Sequence, residues 1–471
     1  MQNNIKEDLH LFNELVNELI NDEMVNPVSE VIPTSKINER FDLKLNATPS
    51  IADDFKKSLK DLVLNTPKSS SKLFFNQLFG GRHSKAILGD LLAVMLNNSM
   101  ATYKIAGPQV AVEKEIINQV NNLIGYTKAS GGTFPTGGSM SNFMSLVMAR
   151  DKKDKEARNK GTQRKLVAYT SENSHYSIIK NASFIGLGRE NLRHIKSDSY
   201  GRINVEALKN QVEVDITNGF TPFYINATAG TTVLCAFDSV VDLAPICEEY
   251  NIWLHLDGAF GGSVIFSEKY KHLVEGIELT DSFCFNAHKT LGTPLSTSVL
   301  AVKDRRDLFN SFNNDANYLY QTDDEDYNLG RTSFECGRRN NALKLWCLWK
   351  AIGTDGIANL VDHEFYLANV ARNYVRNNTD YTLYSFDDSL SICFNYKDFE
   401  PEDLCTKLYE NTKLMVGFGS FHNNTFIRLV TINGENSEQN ILNFFVILEG
   451  FVAKNSSLLK RRGKTNNKLN T

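Results

Sequence analysis

The chain carries seven cysteines in 471 residues, an odd number, and no two of them form a C-x-x-C pair. That argues against both a disulfide framework and a zinc site. Cys235, Cys247, Cys284, Cys336, Cys347, Cys393 and Cys405 read instead as reduced thiols packed as small hydrophobes. A dominant charge is missing too: 51 Lys and Arg against 55 Asp and Glu leave −4, so no whole-molecule field draws the chain to nucleic acid or anionic lipid. The expected partners are small molecules. Met1 to Leu15 intersperses Lys6, Glu7, Asp8 and Glu14 among apolar side chains, where a secretory signal needs an unbroken apolar core. No later run is expected to be long and apolar enough to span a bilayer, and a cytoplasmic location fits best. What is present is a 42% hydrophobic composition, enough to bury a large core divided among two or three structural units.

Phe12, Leu15, Val16, Leu19 and Ile20 recur at helical spacing, which predicts an amphipathic N-terminal helix needing another surface, such as a dimer partner, to cover it. From about residue 70 to 350, helical stretches alternate with short apolar runs, the mark of an α/β unit with a mainly parallel sheet. The predicted strands are Leu166 to Thr170, Phe223 to Ala227, Ile252 to Leu256, Ser282 to Asn286 and Ser298 to Val302. Several end in a polar residue or glycine, where open α/β sheets place their ligands. Beyond about residue 360 the runs Leu390 to Tyr396, Leu414 to Phe418 and Thr425 to Ile432 predict a smaller α+β domain. The expected organisation is an N-terminal helical segment over 1–70, a large domain over 71–360, a small domain over 361–453 and a disordered basic tail over 454–471.

Three local patterns carry chemistry. Asn286-Ala287-His288-Lys289-Thr290 follows an apolar strand and precedes a turn with Gly292 and Pro294, so Lys289 could present one amine into a cleft, as an imine-forming lysine requires; alone, it would read as a surface residue. Upstream, Ile252 to Leu256 runs into Asp257-Gly258-Ala259. Asp257 could cap a turn, or face a pyridine nitrogen and keep it protonated, which is what makes such a ring an electron sink. The third pattern is Pro135-Thr136-Gly137-Gly138-Ser139-Met140-Ser141-Asn142 ahead of a helical stretch, where paired glycines and a helix N-terminus suit a phosphate. It has neither P-loop nor dinucleotide-fingerprint spacing, and by itself it is weak.

With these patterns in this order, the chain resembles the group II pyridoxal-phosphate decarboxylases, the family of glutamate and cysteine sulfinate decarboxylases. The resemblance runs from about Phe74 to Gly356 and more weakly to the C-terminus. It includes Phe75-Asn76-Gln77-Leu78, Thr170-Ser171-Glu172-Asn173-Ser174-His175, Ala227-Thr228-Ala229-Gly230-Thr231-Thr232, Cys336-Gly337-Arg338 and Leu345-Trp346. It implies the type I pyridoxal-phosphate fold, with a large, mainly parallel seven-stranded sheet plus a smaller C-terminal α+β domain, pyridoxal 5'-phosphate as cofactor, and a homodimer with shared active sites. Residue by residue, it implies that Lys289 holds the cofactor, that Asp257 faces its ring nitrogen, and that His175 stacks on one ring face with Ala259 on the other. Gly138, Ser139 and His288 match phosphate-side positions, and Thr228 a further cofactor contact. Tyr318 matches a mobile-loop tyrosine that protonates the substrate carbon. Arg428 matches the arginine that grips a substrate carboxylate. Read from its own neighbours, Arg428 should face opposite to Ile427 and Leu429 on a strand, suited either to a bidentate carboxylate or to a buried structural ion pair.

The chain departs from the family at Ala287, Thr290, Gly258 and Phe260, in a short segment between Tyr318 and Cys336, and at Lys104, which replaces a common acidic residue. Substrate choice is expected to rest with Gln77, Phe79, Ser99 and Ala101. Phe79 and Ser99 resemble the cysteine sulfinate enzymes, whereas Ala101 matches neither those nor the glutamate enzymes and reopens space. The resemblance therefore implies decarboxylation of a short acidic amino acid, aspartate or cysteine sulfinate ahead of glutamate. Its rivals are another decarboxylase substrate (2,4-diaminobutyrate or an aromatic amino acid), or an aminotransferase or carbon–carbon lyase on the same fold.

Overall fold

In the computed structural model, which describes residues 4–314, 320 and 325–462, the apolar runs become twelve strands. They are β1 (Phe74–Phe75), β2 (Gly131–Thr133), β3 (Leu166–Ser171), β4 (Leu192–Ile195), β5 (Thr221–Thr228), β6 (Trp253–Gly258), β7 (Ser282–Asn286), β8 (Ser298–Val302), β9 (Tyr381–Leu383), β10 (Ser391–Tyr396), β11 (Met415–Phe421) and β12 (Asn424–Val430). Seven form one sheet in the order β2-β8-β7-β6-β5-β3-β4. Its central pairings, from β7 through β6, β5 and β3 to β4, are parallel, while β8 runs antiparallel to both neighbours. Side chains alternate across it: Val167 and Tyr169 enter one core, Leu166 and Ala168 the core on the other face. Because helices cover both faces, the strands read as continuous apolar runs rather than as alternating ones. Truncating a fully buried residue of this core, such as Leu345, to alanine would cost about 2–5 kcal/mol.

The other five strands form a second sheet, β1-β11-β12-β10-β9, whose core includes Phe394, Phe444 and Phe445. Two features depart from the expected boundaries. β1, from the stretch assigned to the large domain, pairs in parallel with β11 in the small sheet. The helix Ala342–Arg376 crosses residue 360 with a kink at Gly353, whose φ of 70° is a conformation that favours glycine. Its Leu345, Leu348 and Phe365 serve the large core, and its Leu367, Ala371 and Val375 the small one. A shared helix and a donated strand bind the two units together, and a cut at 360 would divide the shared helix.

Two further expectations are corrected. The stretch Glu438–Leu458 is long and apolar enough to cross a membrane by length and composition. The helix Glu438–Asn455 within it buries Ile441, Phe444, Phe445, Leu448 and Phe451 in the small core, and a Ser437/Asn440 capping box closes its start. Residues 454–462, expected to belong to a disordered tail, are ordered. Lys460 accepts a backbone hydrogen bond from Glu400, Arg462 N donates to Asp398 O, and Arg461 pairs with the Asp398 carboxylate. The acidic side chain of Asp398 gives this basic run a local partner, and composition alone could not show that pairing.

Candidate functional site

The parallel strands end at one rim, where β5 delivers Thr228, β6 delivers Asp257, and β7 runs through Asn286 into the short helix Ala287–Thr290 that carries His288 and Lys289. Opposite them, the helix Gly138–Lys153 points its N-terminus at the same space, and His175 follows β3. A cavity of about 330 Å³ lies between them. Gly138, Ser139, His175, Thr228, Asp257, Ala259, His288 and Lys289 all line it. The polypeptide therefore brings eight of the expected residues to one place, at the carboxyl ends of parallel strands.

Local packing explains the residue types. A Cβ on Gly138 would lie 2.9 Å from the Ala259 Cβ and 3.2 Å from Asn286 Nδ2, so only glycine permits this approach. No side chain caps this helix, which leaves its first amides and their dipole to the cavity. Asp257 is buried; its Oδ1 accepts from Ala259 N (3.0 Å) and its Oδ2 from Asn142 Nδ2 (2.7 Å). Burial pushes the Lys289 amine below its usual range against the opposing pull of Asp257, which favours the neutral, nucleophilic form. His288 Nδ1 lies against both Thr297 N (2.9 Å) and Thr297 O (3.0 Å), and burial lowers its pKa to about 4. Burial likewise lowers the pKa of His175, whose Nδ1 takes hydrogen bonds from Ser177 N (3.2 Å) and Oγ (2.8 Å).

Arg428, facing opposite to buried Ile427 and Leu429, spends Nη1 on Thr232 O (2.9 Å) and Nη2 on Asn76 O (3.0 Å). Thr232 lines the cavity. Burial presses the Arg428 pKa downward, its Nε is buried without a partner, and among the described residues no carboxylate pairs with it. Among the described residues, the structural ion-pair alternative for Arg428 finds no partner.

The residues expected to set specificity lie apart. Gln77 is exposed, and Phe79 packs 6.2 Å from the ring of Phe74, on the segment whose Asn76 carbonyl receives Arg428. Ser99 Oγ meets Cys336 O (3.3 Å) and Arg338 N (3.2 Å), and buried Ala101 accepts from Gly330 N (2.8 Å). None of the four lines the Lys289 cavity of this chain. Tyr318 lies outside the described residues. Sequence reasoning also passed over Asn142, Ser177 and His255. Asn142 stood within the glycine-rich motif, one helical turn after Gly138, and His255 two positions before Asp257, but only their contacts distinguish them.

The cavity suits a pyridine ring with a phosphate arm. It offers an uncapped helix N-terminus and the His288 imidazole, a buried carboxylate, a buried amine, and an orphaned buried acceptor, Asn286 Oδ1. Residues 33–397 match the pyridoxal-dependent decarboxylase conserved domain. The human cysteine sulfinic acid decarboxylase is 34% identical over 365 residues, 76% of this chain and 74% of that one. The mouse acidic amino acid decarboxylase GADL1 is 33% identical over 375 residues, 78% and 68%. Apo mouse CSAD superposes with a TM-score of 0.90 at 29% identity, covering 94% of this chain and 98% of that one. A TDC from Oryza sativa with PLP and tryptamine shares the fold at 20% identity, with a TM-score of 0.89 over 96% and 99%. On this match, the chain belongs to the pyridoxal-dependent decarboxylase family and is a carboxy-lyase that uses pyridoxal 5'-phosphate.

Proposed function

We propose that the enzyme removes the α-carboxylate of a short acidic amino acid, aspartate or cysteine sulfinate in preference to glutamate. The observation that supports recognition of a carboxylate is Arg428, a buried guanidinium with no acidic partner among the described residues and an unsatisfied Nε, anchored at the cavity through Thr232, while the choice of side chain rests on Phe79, Ser99 and Ala101. Such a group favours a carboxylate-bearing ligand, because pairing offsets the desolvation it already suffers. The named activities of the human and mouse relatives point the same way.

When bound, the cofactor supplies the electron sink that accepts the pair left by departing carbon dioxide. Lys289 would hold its aldehyde carbon. Asp257 would hold a proton at the ring nitrogen, and His175 and Ala259 would border the ring. The amides of Gly138 and Ser139, with His288, hold the phosphate, and Thr228 borders the ring. Arg428 orients a substrate carboxylate, and Tyr318 returns a proton to the former α-carbon. Gln77, Phe79, Ser99 and Ala101 set side-chain length from a neighbouring subunit, which would explain their distance from this chain's own cavity. A homodimer is supported by the helix Ser84–Leu96, which leaves Leu88, Leu91, Leu92, Val94 and Met95 exposed. The free cysteines accord with a cytoplasmic enzyme.

The test is kcat/KM for aspartate, cysteine sulfinate and glutamate, with Phe79→Ser as probe. A methylene is worth about 1–3 kcal/mol, or roughly 10–200-fold, so residual glutamate activity is expected. If glutamate is the best substrate and Phe79→Ser leaves the ranking unchanged, the substrate assignment is wrong.

A further inference from the structure

Asn142 sits on the helix that follows the glycine pair, buried to 1% exposure, and every polar atom of its side chain is engaged. Its Nδ2 donates to Asp257 Oδ2 (2.7 Å) and to Ser177 Oγ (3.0 Å). That fixes Oδ1 as the end facing His255 Nε2 (3.1 Å), so His255 must carry its proton on Nε2. The other His255 nitrogen meets Ser282 Oγ (2.8 Å), which already accepts from Trp253 Nε1 (2.9 Å) and therefore donates. On the opposite side, Ser177 Oγ accepts from Asn142 and so turns its own proton onto His175 Nδ1 (2.8 Å), where Ser177 N also donates. His175 is thereby set with its proton on Nε2. Burial holds both imidazoles neutral, that of His255 with a pKa of about 4.

We propose that Asn142 is a positioning residue that fixes two groups at once: the Asp257 carboxylate at the ring nitrogen, and, through Ser177, the tautomer and orientation of the His175 imidazole on the ring face. The proposal rests on the roles assigned above to Asp257 and His175. Only a side chain with two donors and an acceptor at this length fills the position. Leucine would strip partners from Asp257, Ser177 and His255 together. Aspartate would set a second carboxylate against Asp257. The carboxylate and imidazole that act on opposite parts of the cofactor thus share one amide, and loss of that amide should disturb both.

The test is equilibrium binding to the apoenzyme of pyridoxal phosphate and of its carbon analogue, in which C–H replaces the ring nitrogen. Wild type should prefer pyridoxal phosphate, and Asp257→Asn should abolish that preference; if Asp257→Asn leaves it intact, the role of Asp257 falls and this proposal with it. With the Asp257 control behaving as expected, Asn142→Leu should cut the preference by roughly 10–100-fold, the scale for outer-shell partners, while binding of the carbon analogue changes little. Asn142→Asp matches asparagine in size and covers the case in which the leucine variant does not fold. Its preference should approach wild type at low pH, where the introduced carboxyl is protonated and can donate to Asp257, and fall as pH rises. In selectively ¹⁵N-histidine-labelled apoenzyme, His175 should show the single Nε2–H tautomer in wild type and a mixture once Asn142 is replaced. Folded Asn142 variants that keep the wild-type preference at all pH values and the wild-type His175 tautomer would overturn the proposal while leaving Asp257 in place.

Discussion

Replacing Arg428 by methionine should separate stability from turnover. The guanidinium holds the carbonyls of Thr232 and Asn76, and its burial, with no counter-ion among the described residues, presses its charge down. Removing it leaves two carbonyls without this donor, a loss of about 1 kcal/mol each, but also takes an unpaired cation out of the interior, a gain of comparable size. The melting temperature should therefore move by only a few degrees. A substrate carboxylate would lose two charge-assisted hydrogen bonds, together roughly 3–4 kcal/mol after allowance for solvent exchange, which is roughly a 100–1000-fold fall in kcat/KM. Arg428→Lys, which keeps the charge but not the fork, should lie between. The assay is amine formation against substrate concentration, alongside thermal melts and cofactor titration of each variant. If Arg428→Met keeps kcat/KM within fivefold of wild type, or if its loss of activity follows a loss of fold or of cofactor, the guanidinium does not hold the substrate and the argument from its missing counter-ion fails.

The purified wild-type enzyme should be yellow, with a visible band that borohydride bleaches as the cofactor becomes fixed to the chain; Lys289→Ala should show no such fixation, and covalent label found on another residue would reassign the anchor. Tyr318→Phe should still release carbon dioxide but return the proton to the wrong carbon, releasing pyridoxamine phosphate; an unchanged ratio of amine to pyridoxamine phosphate would make Tyr318 a bystander. Glu364 is fully buried, both its carboxylate oxygens lack hydrogen-bond partners among the described residues, and burial drives its pKa well up. Its folded pKa lies above the unfolded value of about 4.3, so its contribution is most favourable below that pH and is lost as pH rises, by about 1.4 kcal/mol per unit until the folded pKa is passed. Glu364→Gln should thus gain in melting temperature over wild type on going from pH 5 to pH 8, and parallel curves would show that the site is not an uncompensated acid.

The cavity's cofactor-side residues were legible because their signals are local. A strand announces itself by an apolar run and its end by a polar residue or glycine, so Asp257 and Lys289 could be placed at strand ends, and Gly138 and Ser139 at a helix start, from a few neighbours each. Resemblance then supplied the roles that single residues could not. The strand that carries Arg428 was equally readable. Whether that arginine had an acidic partner was not, because the answer lay in Thr232 and Asn76, nearly 200 and over 350 positions away in the chain. The same reason hid the bridge from Asp257 through Asn142 and Ser177 to His175, the pairing of Phe74–Phe75 with Met415–Val416 across the presumed domain boundary, and the ordering of the basic tail on Asp398. Sequence by itself determined the elements and the chemical groups at their ends, since periodicity and turn chemistry act over a few residues. Only the tertiary structure decided which buried polar groups met, since that depends on where chain folding carries residues that carry no mark of one another in the sequence.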